Sequence, residues 1–304
     1  MSYYTERHGL RKPVERTYDI SIEMYAVLFD CCSRYFDNIA WKYPEECPDG
    51  RGCCGLDMNK LSTAMRFEIP GLHQNEYGGI VCPEKRPSWD DTKEEYDQYA
   101  LLDFIEFIYE NIRDIDERHW HEWFHHHDIS FNTSRFDKQK FRDEINDIFN
   151  KVGLLYTLSD KGMVERIVED GVLSKDIERE VTSVQEPGLR DLLKDAIILY
   201  KTPGPKARQD SVEKIWDALE RLKTYYTTMD KKASASKIVN DMASGNSNFH
   251  QLFDDEFAAL TKIGNNFRIR HHETNKIDIT DSKHYDYFFN RCLSLIALAV
   301  QYLK

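Results

Sequence analysis

The helical spacing of apolar residues is the feature that most constrains the fold of this chain. Five segments after residue 188 show this spacing, with apolar side chains three or four positions apart. They lie at residues 189–200, 211–228, 234–242, 249–265 and 282–303. Because Pro and Gly interrupt the pattern and the connections are short, we expect neighbouring helices to run antiparallel. The pattern predicts a compact antiparallel helical bundle over residues 185–304, beginning near Pro187.

The first 184 residues are expected to form a separate, mainly helical domain. Its helical patterns lie at residues 21–41, 57–67, 89–115 and 137–151. Two short apolar runs on either side of the turn at residues 159–162 (SDKG) form the one β-hairpin pattern that we find. The predicted fold class is therefore mainly α, with two helical domains (residues 1–184 and 185–304) and a small β-hairpin near residues 153–168.

The negative charge of the chain is concentrated in the first domain. The net charge is −12, to which residues 1–184 contribute −14 and residues 185–304 contribute +2. A phosphate-binding site in the second domain is therefore compatible with the acidic total. No apolar run approaches the ~20 residues that span a bilayer, no secretory signal pattern is present, and the seven cysteines suit reduced thiols. These features predict a cytoplasmic protein without membrane attachment.

Residues 265–273 combine side chains that are suited to phosphate chemistry. After Ile263 and Gly264, where we expect a helix to end, the run contains two Asn, two Arg, two His and one Glu. His transfers protons near neutral pH, and Arg binds phosphate through paired hydrogen bonds. This combination is typical of metal-free phosphodiester cleavage, in which a 2′-hydroxyl attacks the neighbouring phosphate. The competing interpretation is structural, with these groups capping the preceding helix and pairing with Asp254, Glu273 and Asp278.

Two segments of the first domain contain residue types that bind metals. His121 and His125 match the zinc-protease pattern His-Glu-x-x-His, which requires both His on one face of a helix and a third ligand. No third ligand can be assigned. The alternatives for this stretch are adventitious metal binding and a role as a linker or in packing. A second set consists of Cys47, Cys53, Cys54, Cys82 and His73. These residues could bind a structural zinc ion, or the cysteines could be reduced and partly buried thiols. We predict no cofactor, and no metal at residues 265–273.

The helix predicted over residues 211–228 has one polar edge. The spacing directs Trp216 and Leu219 inward. The edge then carries Glu220, Arg221 and Lys223, which either lie along the rim of a site or form a solvated helix face.

Three segments of the N-terminal part carry a resemblance to a known family. They are residues 6–13 (ERHGLRKP), 102–108 (LDFIEFI) and 141–150 (FRDEINDIFN). Through them this part resembles the N-terminal domain family of AbiJ-type abortive-infection proteins. In the C-terminal part, residues 216–224 (WDALERLKT) and 263–273 (IGNNFRIRHHE) resemble HEPN-like domains. The resemblance implies bacterial anti-phage defence. It also implies a helical domain that dimerises and, in active members, cleaves RNA without metal at an Arg-x4–6-His motif.

The resemblance also implies roles for individual residues. His271 would be the general acid or base, Arg270 and Arg268 would hold phosphate, and Asn265 would orient the substrate. The residues assigned to the site are His271, Arg270, Arg268 and Asn265 as catalytic groups, and His272, Glu273 and Asn266 as supporting groups.

The sequence departs from the HEPN motif, because Gly264 or Ile263 stands in the place of its Arg. Either Arg268 or Arg270 has taken over that role, or the domain binds RNA or a protein partner without cutting. The expected partners are RNA, with tRNA as a candidate, a second copy of the chain in a homodimer, and a protein or phage-derived trigger.

Overall fold

The computed structural model describes residues 4–10, 14–50, 52–84, 96–168, 171–269 and 276–303. Over these residues the chain is mainly helical, as the sequence predicts. It divides into two compact units, Met1–Ile167 and Val168–Lys304. The helix Lys175–Thr182, which precedes the boundary expected near residue 184, belongs to the second unit.

The first unit contains both helices and strands. Its α-helices are α1 (Tyr4–Arg7), α2 (Ile22–Ser33), α3 (Met58–Glu68), α4 (Gln98–Asn111) and α5 (Phe136–Val152). Its strands are β1 (Pro44–Glu46), β2 (Cys53–Leu56), β3 (Asp114–His121), β4 (His126–Asn132), β5 (Tyr156–Leu158) and β6 (Val164–Arg166). A short 3-10 helix, Asp37–Ile39, follows α2.

Side-chain caps fix where several of these helices begin. Ser21 accepts a hydrogen bond from the Met24 backbone N–H, and Asp57 and Asp97 cap α3 and α4 in the same way. Such caps satisfy backbone donors that have no partner within the helix. The capped helices bury aromatic and aliphatic side chains in one core, which includes Tyr25 and Phe104. Burial of this apolar surface holds the first unit together.

A four-stranded antiparallel sheet, with strand order β1-β2-β4-β3, corrects the prediction for residues 89–128. The sequence predicts a helix to residue 115 and no strand before the helix at 137–151, but α4 ends at Asn111 and β3 follows. Strands β3 and β4 pair from Asp114 opposite Asn132 to His121 opposite His126. The β-branched and aromatic residues of this stretch favour strands, and this preference prevails over the helical spacing that precedes it. Residues 89–95 of the predicted helix lie outside the described residues.

Two other predictions for the first unit have mixed outcomes. The helix predicted over residues 21–41 ends early, at Ser33, and β1 and β2 lie between it and the next predicted helix, where no strand was predicted. The hairpin near residues 153–168 is confirmed, since β5 and β6 pair antiparallel. It is not the sole hairpin of the described chain, because β3 and β4 form another.

The second unit is built from helices. They are α6 (Lys175–Thr182), α7 (Pro187–Lys201), α8 (Pro205–Leu222), α9 (Lys231–Ala243), α10 (Ser247–Asn266) and α11 (Ser282–Val300). The five helices predicted after residue 188 are confirmed, with ends shifted by a few residues. Helix α8 packs against α7 and α11, and α9 packs against α10 and α11. Trp216, Leu260 and Phe289 lie fully buried in the common core.

Candidate phosphate-binding site

The predicted polar run begins at the C-terminal end of α10. Asn265 and Asn266 are exposed in its last turn, and Arg268 is half-buried just beyond it. The other predicted site residues lie outside the described residues, and they are Arg270, His271, His272 and Glu273. The structure therefore brings Asn265 and Asn266 to one helix end, where other described residues surround them.

A pocket of about 600 Å³ lies beside these two asparagines. The end of α8, the start of α9 and one face of α10 surround it. Four of its lining residues are lysines and one is acidic. The lining consists of Lys223, Lys231, Lys232, Ala235, Asp254, Phe257, Ala258, Thr261, Lys262, Asn265 and Asn266. The pocket is thus basic, although the chain as a whole is acidic.

Lys223 forms the inner wall of the pocket. Its side chain is almost completely buried, and its ammonium group donates hydrogen bonds to Glu220, at 2.6 Å, and to the Thr261 hydroxyl. Lys231 donates to the second oxygen of Glu220, also at 2.6 Å. Burial alone would raise the pKa of the Glu220 carboxyl, but the two lysines lower it, so Glu220 is ionised at neutral pH. One carboxylate therefore balances part of the charge of two lysines.

Lys232 and Lys262 provide positive charge at the rim of the pocket. Both are exposed, Lys232 in the first turn of α9 and Lys262 near the end of α10. Neither forms an ion pair with a residue in the part of the chain that the structure describes. An exposed ammonium beside a pocket attracts phosphate without first having to leave a carboxylate. Of these lysines, only Lys223 was predicted from the sequence to lie at the edge of a site.

The segment that contains Arg270 and His271 is anchored beside this pocket at both of its described flanks. The Arg268 backbone N–H donates to Ile277 O at 2.8 Å, and the Ile277 N–H donates to Asn266 O at 2.9 Å. The Lys276 ammonium donates to Asn265 O at 2.8 Å. The chain therefore leaves the end of α10 and returns to it, with the predicted catalytic residues between these two points.

Arg268 is bound to an acid. Its guanidinium lies 2.8 Å from an oxygen of Asp278. This ion pair agrees with the structural interpretation of Arg268, in which it joins the two flanks of the segment. Within the predicted set, Arg270 then becomes the main candidate for contact with a phosphate.

Gly264 is not a helix end, contrary to the prediction, because α10 continues through it to Asn266. A Cβ at this position would lie 2.5 Å from Trp216 Cδ1 and 2.6 Å from Nε1. The indole N–H donates to Leu260 O at 3.0 Å, which holds the ring against α10. A glycine is needed here for close packing of two helices, so an arginine side chain cannot occupy this place in the present packing.

The polar edge of α8 is divided between two roles. Lys223 lines the pocket, and Glu220 holds it in place. Arg221 forms two hydrogen bonds with Glu186, of 2.7 and 3.1 Å, at the start of α7. Arg221 thus fastens α8 to the N-terminal end of α7 and does not line the pocket.

The zinc-protease interpretation of His121 and His125 is wrong. The two residues do not lie on a helix, since His121 ends β3 and His125 lies in the following turn with a φ of 54°. The proposed zinc set among the cysteines also separates, because the Cys53, Cys54 and Cys82 thiols contact the backbone oxygens of Gly55, Glu45 and Pro83. Cys47 contacts histidines instead.

Comparison with known proteins identifies the N-terminal part of the chain. No curated protein and no solved structure matches the chain. Among the helices that the structure describes, none combines the length and the apolar character needed to cross a bilayer. The model of the AbiJ N-terminal domain 4 family matches residues 2–183, which is more than half of the 304 residues. This chain therefore belongs to the AbiJ N-terminal domain 4 family.

Proposed function

We propose that this protein acts in abortive infection, a bacterial anti-phage defence, and that its C-terminal unit binds RNA and cleaves it without metal. Membership of the AbiJ N-terminal domain 4 family supports the role in defence. The single observation that supports RNA as the target is the basic pocket at the end of α10. It lies directly beside the anchored flanks of the segment that contains Arg270 and His271.

The pocket suits an RNA backbone better than a small apolar ligand. Lys232 and Lys262 place two exposed ammonium groups at its rim, and contacts of this kind supply most of the sequence-independent affinity for nucleic acids. Asn265 and Asn266 add amide groups that can bind phosphate oxygens or base edges. The acidic first unit disfavours non-specific binding elsewhere on the chain.

In the proposed reaction, the 2′-hydroxyl attacks the adjacent phosphorus, and the 5′-oxygen of the next nucleotide leaves. His271 takes the hydroxyl proton or donates one to the leaving oxygen, and Arg270 stabilises the charge that builds on the phosphoryl oxygens. Asn265 orients the backbone, while Asn266, His272 and Glu273 support the site. The products are a 2′,3′-cyclic phosphate and a free 5′-hydroxyl. A homodimer, with a site shared across the two-fold axis, is part of this proposal.

A non-catalytic module that binds RNA or a protein partner is the second candidate. Two observations favour it. Trp216 excludes an arginine side chain from position 264, and Arg268 is already paired with Asp278. In this alternative the lysine pocket binds RNA, but no bond is cleaved.

Binding is tested with Lys232→Gln/Lys262→Gln, which removes two charges from the pocket rim. The matched control is Lys194→Gln/Lys283→Gln, which removes two charges from exposed lysines of α7 and α11 outside the pocket. Each single-stranded phosphate contact contributes about 0.7 to the slope of log K against log salt concentration. We expect the pocket variant to bind a labelled RNA more weakly and to lower that slope by about 1.4. Equal effects of the two variants would contradict the pocket assignment.

Activity in cells is tested with His271→Ala. We expect induced expression of the wild-type chain to arrest growth and expression of the variant not to, at equal soluble protein levels. A variant as toxic as wild type would remove His271 from the mechanism. Harmless expression of both proteins, together with a stable complex isolated from the native host, would favour the non-catalytic candidate.

A further inference from the structure

Four side chains with metal-binding atoms converge in the first unit. Cys47 follows β1, His121 ends β3, and His126 and Asp128 lie on β4. One atom from each, a thiol sulfur, two ring nitrogens and a carboxylate oxygen, lies within 4.8 Å of all the others. We call these four residues the Cys47 cluster.

The distances within the Cys47 cluster match those between the ligands of a small metal ion. The Cys47 sulfur lies 3.3 Å from His126 Nε2, and every pair of ligand atoms in the cluster lies within 4.8 Å. Tetrahedral zinc, with bonds of about 2.3 Å to sulfur and 2.0–2.1 Å to nitrogen, separates such ligands by about 3.5 Å. Thiolate and imidazole together select zinc and related transition metals over magnesium or calcium.

We propose that the Cys47 cluster binds one zinc ion as a structural site. Cys47, as the thiolate, His121 and His126 supply three ligands, and Asp128 supplies the fourth. Binding releases the thiol proton of Cys47 to solvent. The ion would then join the end of β1, the end of β3 and the start of β4.

Carboxylates on both sides of His121 support this assignment. His121 Nε2 lies 2.9 Å from Asp128 Oδ2, and Nδ1 lies 3.5 Å from Asp49 Oδ2. With Asp128 as the fourth ligand, His121 binds the ion through Nε2, and its Nδ1–H has the Asp49 carboxylate to donate to. Metal-binding histidines usually have such a partner, which fixes the ring orientation and makes the ligand more basic.

Asp128 is also placed as a ligand would be. Its Oδ1 atom is buried and accepts no hydrogen bond from the residues that the structure describes. Gly52 leaves room for this carboxylate, since a Cβ at residue 52 would lie 2.6 Å from Oδ1. A buried carboxylate oxygen without a hydrogen-bond donor is costly, and a cation relieves that cost.

The backbone around Cys47 is arranged so that the sulfur faces the histidines. The Cys47 N–H donates to Gly52 O at 2.9 Å, and the Gly50 N–H donates to Cys47 O at 2.7 Å. Gly50 has a φ of 72°, which a glycine adopts without strain. This turn joins β1 to β2, while β2 pairs with β4 at Cys53 and Ile129. A metal ion would thus reinforce a sheet that has short strands.

The test is the zinc content of the untagged full-length protein after loading with zinc and dialysis against metal-free buffer. We expect about one zinc per chain in the wild type, and a loss of most of it in Cys47→Ser and in His126→Gln. Cys54→Ser and His125→Asn are the matched controls, because they remove a neighbouring thiol and a neighbouring imidazole outside the cluster. Both controls should retain the zinc. Asn is chosen at residue 125 because it tolerates the positive φ.

A second measurement on the wild-type protein does not depend on how the variants fold. Cobalt(II) in place of zinc should give a thiolate-to-cobalt charge-transfer band, which a site without a cysteine ligand does not produce. Zinc far below one per chain, or no such band, would overturn the proposal. Equal zinc loss in His125→Asn and His126→Gln would also overturn it, since that result indicates adventitious binding to the histidine-rich turn.

Discussion

Replacing Gly264 by alanine tests how closely α10 packs on α8. The added methyl group lies 2.5 Å from Trp216 Cδ1, whereas ordinary contacts are 3.4 Å or longer, so one helix or the indole must move by about 0.9 Å. Overpacking of a core costs about 1–3 kcal/mol, and weakening the Trp216–Leu260 hydrogen bond costs about 1 kcal/mol more. Replacing a helical glycine by alanine returns up to about 1 kcal/mol. We expect a net loss of about 1–3 kcal/mol in the free energy of unfolding.

The assay for Gly264→Ala is denaturant unfolding of the full chain, followed by tryptophan fluorescence and far-ultraviolet circular dichroism. Gln251→Ala, at an exposed position of the same helix, is the control and should change the free energy of unfolding by less than about 0.5 kcal/mol. A Gly264→Ala protein as stable as the wild type, or more stable, would refute the close-packing argument. The contact with Trp216 would then no longer be a reason to exclude a side chain at position 264.

Two further substitutions give expected outcomes elsewhere in the chain. Arg221 and the α7 N-terminal amides lower the pKa of Glu186 from 4.5 to about 2, so its stabilisation is present above pH 4.5 and is lost as pH falls towards 2. Glu186→Gln should therefore lower the free energy of unfolding by about 1 kcal/mol at pH 7, and urea titrations should show this difference vanishing over that pH range. Gly52→Ala should displace the Asp128 carboxylate and weaken zinc binding about 10–100-fold in competition with a chromophoric chelator, whereas unchanged affinity would remove Asp128 from the site.

The helices of the second unit could be predicted because their apolar spacing, breaks and caps all indicate the same structure. Asp230 and Asp281 cap α9 and α11, and Pro187 and Pro205 begin α7 and α8. Local signals of this kind depend on residues a few positions apart. The pairing of β2 with β4 was missed for the opposite reason, since it joins Cys53 to Ile129 across a long stretch of sequence. The hairpin of β3 and β4 is local, and it was missed because the helical pattern before it was extended to residue 115.

The candidate sites show the same division between local and long-range information. The run at residues 265–273 is local, and its residue types alone indicate phosphate chemistry. The contribution of Lys232 and Lys262 depends on how α9 lies against α10, which sequence spacing does not specify. In the Cys47 cluster the sulfur and the His121 ring come from positions 74 residues apart. Spacing along the sequence therefore groups Cys47 with nearby cysteines, and His121 with His125.

The most direct test of the central claim is incubation of the purified protein with total bacterial RNA and a tRNA pool in buffer without divalent cations. The Arg270→Ala/His271→Ala variant, confirmed to be folded, is the control. We expect discrete fragments that end in 2′,3′-cyclic phosphate with the wild type and intact RNA with the variant. RNA that stays intact with both proteins, or identical fragments with both, would contradict cleavage at this site.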